Sequence, residues 1–236
     1  MGLVLAWVVL TAAPAWEHER ADMAVAVVCT QGKVTDAAKK AAKKAVGAKR
    51  ALELVPAERK DLELVRKDAL GRSFERLSPA EQKAVEGFTS AVVAELSWPR
   101  GDTGGLAAAY AALGTLADSC KGVLVDLDQV TAFSAAAWKA RSAAAPINAS
   151  DHFNIHMVAL DDGVMMFHTG GLSRFGLADI VVPTLSRFSA ESTGSMVNAI
   201  AQRLIEGARP DEKGRLLIRL DDIQHPAVKK DQLADL

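Results

Sequence analysis

Hydrophobic and polar residues alternate in blocks along this chain, and the blocks differ in period. Residues 23–29 (Met-Ala-Val-Ala-Val-Val-Cys) and 122–128 (Gly-Val-Leu-Val-Asp-Leu-Asp) are short, apolar and rich in β-branched side chains, which predicts buried strands of one sheet. Between them the texture is helical. Thr35 or Asp36 caps a helix expected to run to about Val55, where Pro56 stops it. Residues 57–70 resume as a charged helix with Gly71 as its C-terminal stop. Ser78-Pro79-Ala80-Glu81 combines a Ser cap, Pro at the first helical position and Glu at the third, the start of another helix. Val85, Phe88, Val92, Val93 and Leu96 follow at helical intervals as its core face. The run from Trp98 through Pro99, Arg100 and Gly101 to Asp102 breaks the chain, and residues 106–119 form an alanine-rich helix.

Residues 134–142 read as a short helix and 143–148 as a linker. From Phe153 the period changes to two. Residues 153–160 and 164–169, separated by Asp161-Asp162-Gly163, carry a hairpin signal. Residues 180–182 are a strand. Residues 189–207 are an amphipathic helix with Met196, Val197, Ile200, Ala201, Leu204 and Ile205 on one stripe, and 215–220 are a last strand. Strands and helices do not alternate regularly, so the pattern is an α+β fold, its sheet mixed or mainly antiparallel and covered by several packed helices. One such domain is expected over residues 16–236, helix-rich at about 35–120 and hairpin-containing at about 121–236.

Half of the 236 residues are hydrophobic, enough for a sizeable core. A net charge of −1 and 5% aromatic residues argue against a nucleic-acid surface. Residues 3–13 (Leu-Val-Leu-Ala-Trp-Val-Val-Leu-Thr-Ala-Ala) form an uncharged apolar run followed by the small-x-small step Ala13-Pro14-Ala15, although only Met1 and Gly2 stand in place of a basic leader. Residues 1–15 therefore read as an export signal, with a buried first strand or an uncleaved membrane anchor as alternatives. Cys29 and Cys120 are open to one disulfide in an oxidising compartment or to burial as two small hydrophobes, and unpaired cysteines are the reading preferred here. Lys39, Lys40, Lys43 and Lys44 share one helical face, a solvated face in the simpler reading and a contact for anionic lipid in the other.

Candidate chemistry is sparse. The chain has no phosphate-binding glycine loop ending in Lys-Ser/Thr, no nucleophile elbow and no cysteine pair at zinc spacing. Gly104-Gly105 reads as a turn ahead of a helix. His152, His156 and His168 are weak metal-ligand candidates. A two-residue hairpin turn would place residue 167 or 169 opposite His156 and turn His168 to the other face, whereas a three-residue loop would set the two imidazoles opposite each other. Asp126 and Asp128 at a strand end, and Asp161 and Asp162 in a turn, are residues such places favour for local reasons. No cofactor is expected.

The run His168-Thr-Gly-Gly-Leu-Ser-Arg-Phe-Gly-Leu-Ala-Asp-Ile180 resembles the Thr-x-Gly-Leu-x-x-Phe-Gly-x-x-Asp/Glu signature of uncharacterised bacterial domains of the DUF4261 type, some of which accompany DUF2314 domains. Leu116-Ala-Asp-Ser-Cys-Lys-Gly-Val-Leu-Val-Asp126 looks like the helix-Gly-strand-Asp region of those domains. Leu177-Ala178 departs from the proline frequent there, and the lysine-rich stretch 36–71 lies outside the likeness. The resemblance implies an α+β domain and no reaction. Physically, Gly170, Gly171 and Gly176 permit positive φ or close approach, Leu172 and Phe175 plug the core below, and Arg174 is expected to pair with Asp179, giving a structural corner. The functional alternative makes His168, Thr169, Arg174 and Asp179 a site for a small anion or peptide terminus. The expected protein is an exported, non-catalytic module that binds a protein or cell-envelope component. The alternatives are a hydrolase using His168 with Asp179, a metal enzyme built on the three histidines, and a membrane-anchored protein.

Overall fold

The computed structural model describes residues 8–9, 17–102, 104–141, 147–160, 164–186, 190–212 and 215–218. In chain order its elements are β1 (Val8–Val9), β2 (Arg20–Val28), α1 (Asp36–Val46), β3 (Ala51–Glu58), α2 (Lys67–Glu75), α3 (Pro79–Gly87), β4 (Ser90–Pro99), α4 (Gly105–Asp118), β5 (Val123–Asp126), β6 (Thr131–Phe133) and α5 (Ala135–Lys139). Then come β7 (Asn154–Ala159), β8 (Val164–Gly170), β9 (Val181–Ser186), α6 (Ala190–Ile205) and β10 (Arg215–Leu216). This is an α+β fold. The chain divides into two compact units that interleave in sequence. A sheet unit comprises His18–Ile147 with Ser173–Gly176, and a hairpin unit comprises Met1–Glu17, Asn148–Leu172 and Leu177–Leu236.

The sheet unit is built on five antiparallel strands in the order β3-β4-β2-β5-β6. The path β2-α1-β3, then β4-α4-β5, with spatial order β3-β4-β2-β5, is a split β-α-β arrangement. Alternate residues of β2 serve two cores. Met23, Val25 and Val27 pack with Ala38, Ala42 and Val46 of α1, with Leu113 and Leu116 of α4, and with Trp138. Ala26 and Val28 pack on the other face with Leu70, Phe74, Val85 and Phe88 from the α2 and α3 region. That two-sided burial explains why β2 and β5 read as continuous apolar runs. Gly105 is required by this packing, since a Cβ there would lie 2.2 Å from the Trp98 ring.

Three helical expectations are corrected. Thr35 does cap α1, its side chain accepting from the Ala38 amide, but the helix ends at Gly47 with φ of 80° and does not reach Val55. Residues 51–58 are a strand whose Leu52 and Leu54 are half-buried and pack on the core. Pro56 sits in this outermost strand, where a missing amide donor is tolerated. The charged helix placed at 57–70 is instead α2, starting at Lys67, and Gly71 is a kink inside it with φ of 49°. The Ser78–Glu81 capping box starts α3 as expected, yet α3 stops at Gly87, and Val92, Val93 and Leu96 belong to β4. In β4 the fold's demand for a central strand overrides an accidental helical spacing.

The preferred reading of the cysteines is also corrected. Cys29 and Cys120 form a disulfide with a Cα–Cα distance of 5.2 Å, tying the chain just after β2 to the chain just after α4. The Gln31 amide donates to the Cys120 carbonyl and the Thr30 hydroxyl to the Lys121 carbonyl, so the two segments are held by backbone contacts as well.

In the hairpin unit, β7, β8 and β9 form a three-stranded antiparallel sheet, β1 pairs with β10, and α6 turns Val197, Ile200, Ala201 and Leu204 inward. The strand expected over 215–220 is confined to β10 among the described residues, and residues 143–146 of the linker expected over 143–148 and the hairpin loop over 161–163 lie outside them.

Reduction of the disulfide, which closes a loop of 91 residues, is expected to lower the unfolding free energy by about 4 kcal/mol. Thermal melts with and without dithiothreitol check this, and coincident curves would contradict it.

Candidate functional site

The densest constellation of functional groups is a buried charge cluster in the sheet unit. Its first member is Asp126, the last residue of the fully buried strand β5. A carboxylate carried into such a core costs several kcal/mol unless it is paired and hydrogen-bonded. Arg174 answers it with a bidentate fork, Nη1 donating to Oδ2 and Nη2 to Oδ1, both at 3.0 Å. The Gln129 amide donates to Oδ1 at 3.0 Å, and Arg141 Nη1 lies 3.5 Å from Oδ2. Both carboxylate oxygens are thus taken up inside the protein. Burial works against the charge on Arg174, but the adjacent Asp126 outweighs it and holds the guanidinium more firmly protonated than usual.

Arg141 is the second cation. Burial lowers its proton affinity, and its guanidinium lies 4.9, 4.5 and 4.9 Å from the ring centroids of Tyr110, Phe133 and Trp138. Its Nη2 donates to Gln129 Oε1 at 3.1 Å. Tyr110, Trp138 and Arg141, with Thr115 and the Asp118–Lys139 ion pair, line an open cleft of about 320 Å³. The turn that joins β5 to β6 is strained where it meets the cluster, since Val130 is β-branched and holds φ of 50°.

Asp128 completes the cluster with different properties. Its carboxylate is 26% exposed, lies 3.6 Å from Arg174, and accepts from the Ala24 amide at 3.2 Å. Desolvation first, and the charge of Asp126 second, push its pKa up to about 6 against the pull of Arg174. A carboxyl poised near neutrality has the acidity that proton transfer requires. Here the cause is burial first and the charge of Asp126 second, and among the described residues no nucleophile is hydrogen-bonded to it.

The corner in residues 168–180 divides its side chains among separate tasks. Arg174 goes to Asp126, not to Asp179 as expected from sequence. The Asp179 carboxylate accepts from the Thr169 hydroxyl at 2.8 Å and the Leu172 amide at 3.2 Å, while Thr169 Oγ1 accepts from the Ile180 amide. Thr169 is buried and its backbone amide donates to Ile180. Gly171 and Gly176 hold φ of 115° and 69°, and Gly170 is an ordinary strand residue opposite Asn154. Leu172 is fully buried, and Phe175 packs against the sheet unit's core.

His168 is separate again. The strand register pairs Asn154 with Gly170 and Ala159 with Met165, leaving residues 161–163 as the connection beyond the Leu160–Val164 bond. The two-residue turn is therefore replaced by the three-residue alternative, and His156 stands directly opposite His168 with ring centroids 5.0 Å apart. His168 Nδ1 lies 3.2 Å from the Thr169 carbonyl, and among the described residues no hydrogen bond joins it to Asp179. His152 is buried in the turn before β7, and no three His, Cys, Asp or Glu side chains gather as a metal group among the described residues, so the three-histidine cluster is not formed. Lys40, Lys43 and Lys44 lie exposed on α1, Lys39 pairs with Asp36 at 3.0 Å, and no described helix is long and apolar enough to cross a membrane.

The sequence placed Arg174 in the right loop with the wrong partner, assigned Asp126 and Asp128 to a strand end for local reasons, and gave no sign of Tyr110 or Arg141. One signal was available: an Asp closing an all-apolar strand demands a buried cation. Comparison with family models, curated proteins and solved structures finds no match for the chain.

Removing one partner of the buried pair, as in Arg174→Met, is expected to cost about 3–5 kcal/mol in denaturant unfolding. Asp126→Leu combined with Arg174→Met should cost less than either single change, because neither member of the bidentate pair is left buried without the other. For Asp128, the folded pKa of about 6 exceeds the ordinary value of 3.8, so the folded state binds the proton more tightly. Its contribution is present below about pH 4 and lost as pH rises through 6. Asp128→Asn should therefore raise the melting temperature at pH 7.5 relative to wild type, with little gain at pH 4.5. Equal effects at both pH values would contradict the shift.

Proposed function

We propose that this is an exported, disulfide-bonded protein that acts by binding another protein of the cell envelope and performs no catalysis. The observation that carries the binding reading is the β7–β8–β9 sheet, which leaves Met157, Val158, Leu160 and Val181 exposed by 56, 39, 44 and 53%. Soluble proteins seldom leave apolar side chains grouped on one small sheet unless something contacts them. Among the described residues β7 is also an outer strand of this sheet, the position at which a partner strand adds.

Two further observations support the reading. The Cys29–Cys120 disulfide fits an oxidising compartment and so supports export, and cleavage after Ala15 would remove β1 from its pairing with β10. The polar groups first suspected of chemistry are engaged internally: Arg174 by Asp126, and Asp179 by Thr169 and Leu172.

Protein isolated from its host is expected to begin at Trp16 by intact-mass measurement and to carry no free thiol. A retained Met1 would contradict export with cleavage. A photo-crosslinking side chain at position 157 should give one discrete protein adduct in cells, whereas the same group at position 40 on α1 should give none. The absence of an adduct at 157 would overturn the binding surface.

A further inference from the structure

We propose that His156 and His168 form a two-imidazole site for a late first-row transition-metal ion, with copper(II) preferred over zinc(II). The inference does not depend on the binding role above. The two residues are direct cross-strand partners of β7 and β8, so their side chains leave the sheet on the same face. Their rings are stacked at 5.0 Å between centroids with 28° between planes, and both side chains are half-buried. Two nitrogens bound to one ion at about 2.0 Å each stand no more than about 4 Å apart. Small rotations of the rings bring their edges within that span.

The surroundings favour one tautomer and one class of ion. His168 Nδ1 faces the carbonyl of Thr169 at 3.2 Å, a contact that forms a hydrogen bond only when Nδ1 carries the proton and donates it. Nε2 then holds the lone pair, and a backbone carbonyl as outer partner is the usual support of a metal-binding imidazole. The neighbouring positions on this face are Val158, Met166 and Val181, with the pair Val158–Met166 next along the ladder. None of the strands β7, β8 and β9 carries an Asp or Glu, which disfavours the oxygen-seeking calcium and magnesium ions. Imidazole nitrogens suit copper and zinc alike, and copper(II) heads the divalent affinity order.

The test is calorimetric titration of the oxidised full-length protein with copper(II) and with zinc(II), paired with NMR of the imidazole protons. One ion per chain is expected, copper tighter than zinc, with the resonances of His156 and His168 perturbed. His156→Phe keeps the ring stack while removing the nitrogens. It and His168→Phe should each weaken binding by more than the roughly 10–100-fold seen on loss of an outer-shell partner. The apo melting temperature of His156→Phe should stay close to wild type, which separates ligand loss from unfolding. His18→Ala should bind as wild type does. No stoichiometric binding, or binding undiminished in both Phe variants, would overturn the site.

Discussion

A carboxylate at the end of a completely buried strand is the constraint around which the sheet unit is organised. Asp126 cannot be solvated where β5 places it, so the protein must bring a cation, and Arg174 arrives with both arms of its guanidinium. The rest follows in layers. Arg141 and the Gln129 amide fill the remaining acceptor capacity, three aromatic rings sheathe Arg141, and the strained turn at Val130 is held by the same contacts. Asp128, 3.6 Å from Arg174 and next to a full negative charge, is left as the member whose protonation changes near neutrality. Such a pair is weak as a source of net stability, yet it is unforgiving of partial removal.

The corner of residues 168–180 shows how one short segment meets several demands at once. Thr169 and Asp179 close it by hydrogen bonds, Gly171 and Gly176 supply backbone shapes that other residues resist, and Arg174 is spent on Asp126. A binding site assembled from all these polar side chains would need them turned outward. Arg174 and Thr169 are buried, and Asp179, at an exposed position, is held by Thr169 and the Leu172 amide, which moves attention to the hairpin face with its stacked histidines and exposed apolar residues.

Legibility followed the range of the forces involved. The Ser78–Glu81 capping box, the Thr35 cap, the buried runs that became β2 and β5, and the hairpin from 154 to 170 were all readable, because caps, turns and burial write their requirements into adjacent residues. Residues 51–58 and 90–99 were misread as helix. Leu52 and Leu54 alternate only when Pro56 is accepted in an outer strand, and Val92, Val93 and Leu96 satisfy a helical spacing as well as a strand's. The candidate site was half legible. An Asp ending an apolar strand calls for a cation, but nothing nearby in sequence says that the cation lies 48 positions away.

By itself, then, the sequence determined the α+β character, the approximate places of most caps and turns, and the amphipathic faces of α1 and α6, since each depends on residues within a few positions of one another. Tertiary structure alone decided that Cys29 meets Cys120, that Arg174 answers Asp126 and leaves Asp179 to Thr169, and that His156 faces His168. The first two are meetings of segments far apart along the chain, set by how strands order themselves in a sheet. The third turns on a single residue of hairpin register, and one step there reverses the face of every side chain that follows.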